Sequence, residues 1–475
     1  MYRCTPSLII RPDTIRHNTS SHQIHVETAT RTHRITYHQP KGNSMTRHRT
    51  RTIRRALGAS ALGVALSAAV VPAVASAANV TTLSFWARSD DSAFIGTMVK
   101  DFNATHTTIK LDLTVVPTNN FVQKFTTAVA SGNAPDVASI NLIDLPYYAS
   151  VGALTDITSL AHSLSYFKDL SPAHLQLATY KSSLYALPFS GDASVLYYNT
   201  TLFKEAGLNP NDPPTDFAQM LSDAKKITAL GHGDYGFYFP GLCTGCDGFT
   251  MYPSIWASGG TVLTGAGTAH QTATLTTSKP VAATLSFYHE MWADGLIPPS
   301  AETGSVSTWL TPFESNKVGM EMIGSFAVAE LKAVKGLNFL LAPIPGENGG
   351  SSSYAGGDEI GIPHGSKNLA AAETVLRWAT STAAQDDIAQ LGVVPTRVSI
   401  AENYYPKLDP RYKVLAEAMA KGTAPWTPEF EPLMNTTTSP WQALIDTAIF
   451  QGKVQTGLVT AQAQFTKILD QGTAG

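Results

Sequence analysis

The residues of this chain that could do chemistry are few, and most fail on spacing. His289-Glu290 opens the helical zinc-protease pattern, which needs a second His one turn on, but position 293 is alanine. His106, His162, His174, His232, His270 and His364 never recur at metal-ligand spacing, so no metal site is expected. The nucleophile elbow, the phosphate loop and a dinucleotide fingerprint after the first strand are all missing. Cys243-Thr-Gly-Cys246 is a C-x-x-C whose redox use would want the first Cys at a helix start. Pro240, Gly241, Gly245 and Gly248 surround it and read as a loop, so Cys243 and Cys246 are expected to form a local structural disulfide. A carboxylate pair such as Asp192 with Asp247 could hydrolyse a glycoside, but only at a separation that folding alone decides. No catalytic residue and no cofactor is assigned.

What remains is a scatter of aromatic and short polar side chains where loops should be. Trp86 and Arg88 leave one strand, and Asn141 and Asp144 leave another. Asp192 follows Gly191, and Phe249, Trp256, Phe326, Trp426 and Trp441 lie further on. In α/β sheets, ligands bind beyond the carboxyl ends of strands. Sugars need this mixture, because aromatic faces cover the apolar face of the ring while Asp, Asn and Arg bond its hydroxyls.

The elements that must position these groups follow from periodicity. Thr82–Trp86 reads as a short strand, and Phe94, Met98 and Phe102 recur on one helical face. Ile109, Leu111, Leu113 and Val115 alternate with polar residues as a strand. Phe121, Phe125 and Val129 restart the helical period, and Val137–Ile140 is the next strand. That order is an α/β pattern with a mainly parallel sheet. Residues 213–335 read as mostly helical (217–230, 281–294, 328–334), with strand signals at 318–323 and 339–342. The tail alternates helices (370–380, 384–391, 414–421, 441–449, 458–469) with loops rich in Pro, Thr and Asn.

Charge and length bound the rest. Residues 1–77 hold eleven of the 33 basic residues and two of the 36 acidic ones, leaving 22 and 34 in the remainder, a net charge near −12. The remainder has only four arginines (Arg88, Arg377, Arg397, Arg411), which excludes the basic footprint of a nucleic-acid binder. A chain of this length is expected to form two lobes rather than one core. From Met45, a basic stretch precedes the apolar run 56–71 and Ala75-Ser76-Ala77. This predicts a signal peptide over 45–77, cleaved after Ala77, and an exported protein; residues 1–44 read as disordered or as an unused upstream extension.

Several blocks together carry a resemblance. Thr82-Leu-Ser-Phe-Trp86, Phe125-Thr-Thr-Ala-Val-Ala-Ser-Gly-Asn-Ala-Pro-Asp136, Tyr147-Tyr-Ala-Ser-Val-Gly-Ala-Leu154, Tyr185-Ala-Leu-Pro-Phe189 and Leu196-Tyr-Tyr-Asn-Thr-Thr-Leu-Phe203 resemble successive blocks of family 1 extracellular solute-binding proteins, the maltose-binding-protein-like receptors of ABC sugar importers. Trp256-Ala-Ser-Gly-Gly260, Phe313-Glu-Ser-Asn-Lys-Val-Gly-Met320, Ala342-Pro-Ile-Pro-Gly346 and Gly356-Gly-Asp-Glu-Ile-Gly361 continue in order, so the resemblance spans residues 80–470. It implies a two-lobe periplasmic-binding-protein fold with hinge segments, lobe one being 80–190 and 342–392 and lobe two 193–340 and 395–475. It implies a non-enzymatic, monomeric receptor that captures a sugar in the interlobe cleft and delivers it to ABC permease subunits, at the periplasmic or extracellular face of the membrane. Ligand roles are carried over to Asp192, Asp247, Phe249, Phe326 and Trp441, and Asp358 is a further candidate for ligand contact. Phe326 stands where the maltose-binding protein has Trp, and Ile143 where it has an aspartate, with Asp144 adjacent. Alternative cargoes are a polyamine, iron (suggested by Tyr197-Tyr198) or a glycerophosphodiester, for which Arg88 and Arg397 are the available cations; a secreted glycosidase is the enzymatic alternative.

Overall fold

Alternating apolar residues build the first sheet from its N-terminal end. The computed structural model describes residues 80–243, 245–268 and 270–472, so the signal peptide and upstream extension expected over 1–77 lie outside the described residues. Strand β1 (Thr81–Arg88) buries Leu83, Phe85 and Ala87 and pairs in parallel with β2 (Ile109–Val116) and β3 (Val137–Asn141). Helix α1 (Ile95–Thr105) buries Met98 and Phe102, and α2 (Thr118–Ala130) buries Phe121 and Phe125, each pair meeting at i, i+4 on one face. Val137–Ile140 are buried on both faces, as a central strand must be. The sheet is mixed rather than mainly parallel: β3 runs parallel to β1 and antiparallel to Ala355–Gly361, because that strand enters late in the chain on the return from the second sheet.

The chain then passes between two sheets. Strand β4 (Ala186–Ala193) belongs to the first sheet, and β5 (Val195–Asn199), one residue on, belongs to the second. Helix α3 (Phe217–Thr228), strand β6 (Tyr235–Tyr238), helices α4 (Cys246–Ala257) and α5 (Lys279–Ala293), strand β7 (Val318–Ile323), helix α6 (Ala327–Ala333) and strand β8 (Phe339–Ala342) complete that second layer. Its four strands run β8-β5-β7-β6. Strand β9 (Ala355–Gly361) returns to the first sheet, followed by helices α7 (Leu369–Ala379) and α8 (Thr382–Gln390) and strand β10 (Val394–Pro395). The six-stranded order is β10-β4-β9-β3-β1-β2. The tail, with α9 (Tyr412–Lys421), α10 (Pro440–Ile445) and α11 (Val454–Gly472), packs mainly with the second sheet. Two apolar cores result, one on each sheet.

Two crossings lie side by side. Ser353 donates its hydroxyl to the Ser194 carbonyl at 2.8 Å, and the Tyr354 amide donates to Ser194 Oγ at 2.9 Å. In β9, Gly357 sits at φ +117°, and a Cβ there would meet the Ser190 carbonyl oxygen at 2.0 Å. Only glycine lets β4 and β9 pair at that register.

Two elements depart from the periodicity reading. Strand β6 lies in an aromatic, glycine-rich connection between the helices expected over 217–230 and 281–294; its Tyr-Gly-Phe-Tyr is too short and too broken by glycine to signal a strand. The glycine is needed for packing, since a Cβ on Gly236 would come within 2.3 Å of Ala224 Cα on α3. The loop expected around both cysteines ends earlier than its glycines suggest, because Cys246 is the first residue of α4. Cys243 and Cys246 are bonded, with Cα atoms 5.4 Å apart.

Candidate ligand-binding site

The sheet register collects the polar candidates. Asp358 on β9 lies opposite Asn141 on β3 and Ser190 on β4, and Gly356 lies opposite Asp192. Arg88, at the end of β1, places Nε 3.2 Å from each Asp358 oxygen and Nη1 2.6 Å from Asp90. Ser139 donates to Asp91 at 2.9 Å and to Asp358 at 3.1 Å. Burial opposes charge on Asp358, but Arg88, Asp91 and Ser139 outweigh it and hold the carboxyl below its ordinary range. Arg88, enclosed in turn, is held charged by Asp358, Asp91 and Asp90 against its own desolvation. Burial and the neighbouring Asp358 instead push Asp91 well up.

Asp144 follows Asn141, whose Oδ1 accepts from the Ile143 amide at 3.4 Å. Burial pushes the Asp144 carboxyl well above the usual carboxylate range, and the charge of Glu431, from the tail, adds to this. Asn435 donates to Glu431 Oε1 at 2.6 Å. Asn435 also abuts the disulfide loop, since a Cβ on Gly245 would lie 2.5 Å from its Oδ1.

From this group a run of aromatic rings crosses the second lobe. Tyr354 precedes β9, and its ring centroid lies 5.1 Å from Phe249 and 5.7 Å from Trp256, both on α4. Phe249 leads through Trp309 (6.5 Å) to Phe326 (5.5 Å), which is half exposed. Trp256 leads through Tyr252 (5.8 Å) to Trp441 (4.6 Å). Offset and edge-on rings at these separations attract one another and offer apolar faces. Asp192 clasps the outer end, accepting from the Ser325 amide at 2.7 Å and its hydroxyl at 2.6 Å. Burial nevertheless leaves its pKa raised. Gly356 sits beneath Phe249, where a Cβ would come within 2.9 Å of the ring.

The expected residues therefore divide. Arg88, Asn141, Asp144 and Asp358 form one group, and Asp192, Phe249, Trp256 and Phe326 form another along the ring run. Asp247 sits in the first turn of α4, fully enclosed. Both its oxygens lack a hydrogen-bond partner, and burial pushes its pKa well up. It lies near Tyr288 of α5, whose ionisation it opposes. Trp441 is 1 % exposed and buried in the second core, its indole edge-on to Tyr252, so in this structure it packs rather than faces a ligand. Arg397 is committed elsewhere, with Nε 2.6 Å from Asp169 and its guanidinium 4.3 Å from the Tyr166 ring centroid. Trp86 lies under Lys124, whose Nζ is 4.8 Å from its ring centroid, within the first lobe. Trp426 donates to the Thr179 carbonyl at 3.2 Å. Sequence reasoning missed Tyr148, Tyr252, Trp309, Tyr354 and Glu431 as site residues. Tyr148 sits in a block quoted for the resemblance, but Glu431 lies in an aperiodic tail with nothing to mark it. Among the described residues, no group of three or more His, Cys, Asp or Glu could hold a metal ion.

Comparison with known proteins decides the class. The family model of bacterial extracellular solute-binding proteins matches residues 87–386. The chain belongs to that family. Members are binding proteins rather than enzymes. This solute-binding protein is 26 % identical over 381 residues to the diacetylchitobiose binding protein DasA of Streptomyces coelicolor, covering 78 % of this chain and 86 % of that one. It is 30 % identical over 283 residues to a binding protein of Brucella abortus, covering 58 % of this chain and 66 % of the relative, just under two thirds of the relative's length. The sugar-binding protein MalE of Xanthomonas citri shares the fold at a TM-score of 0.72 and 21 % identity, over 82 % of this chain and 98 % of that one. The two-lobe periplasmic-binding fold is therefore that of this chain. Among the described residues, no helix is long and apolar enough to cross a membrane.

Proposed function

We propose that this solute-binding protein captures a sugar or short oligosaccharide in the cleft between its lobes and hands it to the membrane subunits of an ABC importer. One observation carries the reading. A continuous run of rings from Phe326 to Trp256 and Tyr354 meets a cluster of carboxyl and amide groups at the strand ends of the first sheet. The rings are suited to the apolar face of a sugar and the carboxyls to its hydroxyls. Lobe one consists of residues 80–190 and 355–392 and lobe two of 193–352 and 395–475, hinged at the paired crossings near Ser194 and Ser353; residues 342–352, carried to lobe one by the resemblance, go with lobe two because Ala342 and Ile344 pack in the second core. Closure about that hinge is the state the permease recognises, reached by a population shift on ligand binding. Asp144, Asp192, Phe249, Trp256 and Phe326 contact the ligand, Asp358 holds Arg88 from beneath, and the protein works outside the cytoplasmic membrane as a monomer.

The reading is tested by calorimetric titration of the full chain with mono- and oligosaccharides, alongside small-angle scattering with and without the best binder. Saturable binding of a sugar with a fall in radius of gyration is expected. Binding of no sugar in the panel would overturn it.

A further inference from the structure

The tail of the chain reaches across to the first lobe at one tryptophan. Thr423 lies on the second crossing, its amide donating to the Ser353 carbonyl at 3.1 Å and its carbonyl accepting from the Ala355 amide at 2.9 Å. Three residues on, Trp426 is buried between partners from different lobes. On one side its Nε1 donates to the Thr179 carbonyl at 3.2 Å, and its ring lies nearly parallel to that of Tyr180, with 10° between planes and 6.2 Å between centroids. Thr179–Tyr180 and Ser183–Leu184 form a hairpin whose Leu184 sits in the first core. On the other side the Trp426 carbonyl accepts from Gln271 Nε2 at 2.5 Å. Gln271 precedes Thr272–Ala273, which Gln462 of α11 fastens to the second core by donating to the Ala273 carbonyl at 2.9 Å.

The hairpin is marked by its turn as well. Lys181 sits at φ +46° and Ser182 at φ +68°, a pair of positions that asparagine and glycine fill with little strain. Other residues persist there only where their surroundings hold them. Lys181 keeps its Nζ 5.1 Å from the centroid of the Tyr180 ring, so the ring that meets Trp426 also carries a cation.

We infer that Trp426 and Tyr180 form a latch that fastens the lobes in the closed state. The inference rests on the reading of a receptor whose lobes close on a sugar, and it names the contact that sets how long they stay closed. Trp426 cannot travel with Thr179 and with Gln271 at once, so parting the lobes must break one side of the bridge. The side that parts is the ring contact, since Phe430, Leu433 and Met434 carry the tail on into the second core. A stacked aromatic pair and one hydrogen bond together favour the closed state by about ten- to hundredfold. Such a bias leaves part of the ligand-free protein already closed and slows release of a captured sugar.

The test is small-angle scattering of the ligand-free full chain, beside stopped-flow release of whichever of glucose, cellobiose and maltotriose binds. Tyr180→Ala and Trp426→Ala should each raise the ligand-free radius of gyration, and the double variant should raise it no further. Saturating sugar should return all of them to the wild-type radius. Release should be about ten- to hundredfold faster in each single variant, with association little changed. Tyr180→Phe keeps the ring and should match the wild type in both readouts. If Trp426→Ala melts far below the wild type, Tyr180→Ala decides, because Tyr180 is only partly buried. A ligand-free radius unmoved by both substitutions, or a release rate unmoved by both, overturns the latch and leaves the sugar reading standing. Binding of none of the panel overturns the sugar reading, and the ligand-free radius then decides the latch alone.

Discussion

Replacing Arg88 with methionine isolates the electrostatics of the first lobe. The arginine places Nε 3.2 Å from both Asp358 oxygens, and the Asp358 side chain has no exposed surface. Removing one partner of a buried pair leaves the other charge unanswered, at a cost of about 3–5 kcal/mol. The pH dependence gives the prediction its sign. In the wild type the depressed Asp358 pKa contributes stability above its unfolded value, near 4, and loses it only as pH falls through the lower folded value. In Arg88→Met the same carboxyl is buried without a cation, so its pKa rises and the penalty is greatest at neutral pH. Urea unfolding at about pH 7.5 should show a lower midpoint with unchanged m, and the deficit should shrink at about pH 5. Adding Asp358→Asn should recover much of the loss, because the stranded charge goes with it. A deficit below about 1 kcal/mol, or one of equal size at both pH values, would refute the reasoning.

Trp441→Ala should lower the ligand-free melting temperature sharply, by an amount equivalent to about 3–5 kcal/mol, since it empties an enclosed site against Tyr252; an unchanged apo melt with lost affinity would instead place the indole on the ligand. Burial lowers His174 from its ordinary 6.5 to about 4, so the unfolded chain binds the extra proton between those values and native stability falls as pH drops from 6.5 towards 4. His174→Gln should flatten the stability–pH curve over that window, and an unaltered slope counts against the assignment. Alkylation of non-reduced protein should label neither Cys243 nor Cys246, and Cys243→Ser with Cys246→Ser should cost about 2 kcal/mol, the loop entropy of so short a bridge. Two labelled thiols would reject it.

The sequence carried the periodic elements well. Phe94, Met98 and Phe102, and the alternation at 109–115, needed no long-range information, because one buried face determines them. Strand β6 was hidden because its glycine answers to Ala224 on another element rather than to any strand preference. The site was legible in half. Arg88, Asn141, Asp144 and Asp192 could be singled out because strand ends are where ligands bind. Their partners could not. Glu431 bears on Asp144 through its charge, and Tyr354 meets Phe249 in ring contact, across separations spanning much of the chain, and no local pattern encodes such a meeting. Arg397 shows the converse error: a scarce cation looks available until Asp169 and Tyr166 are found beside it.

The strand order also governs when this protein can fold. Strand β9 lies between β4 and β3 in the six-stranded sheet, so the sheet has a gap at its middle until Ala355–Gly361 have been made. From Ala193 to Ala355 the ribosome, adding roughly 5–20 residues per second, needs on the order of ten to thirty seconds. Throughout that interval β3 and β4 expose unpaired edges and the first lobe has no finished core. Unpaired edges of this kind template pairing with other chains, so the unfinished lobe is exposed to aggregation throughout that interval. A circular permutant that places β9 before β3 should complete the lobe early, and should for that reason aggregate less during synthesis.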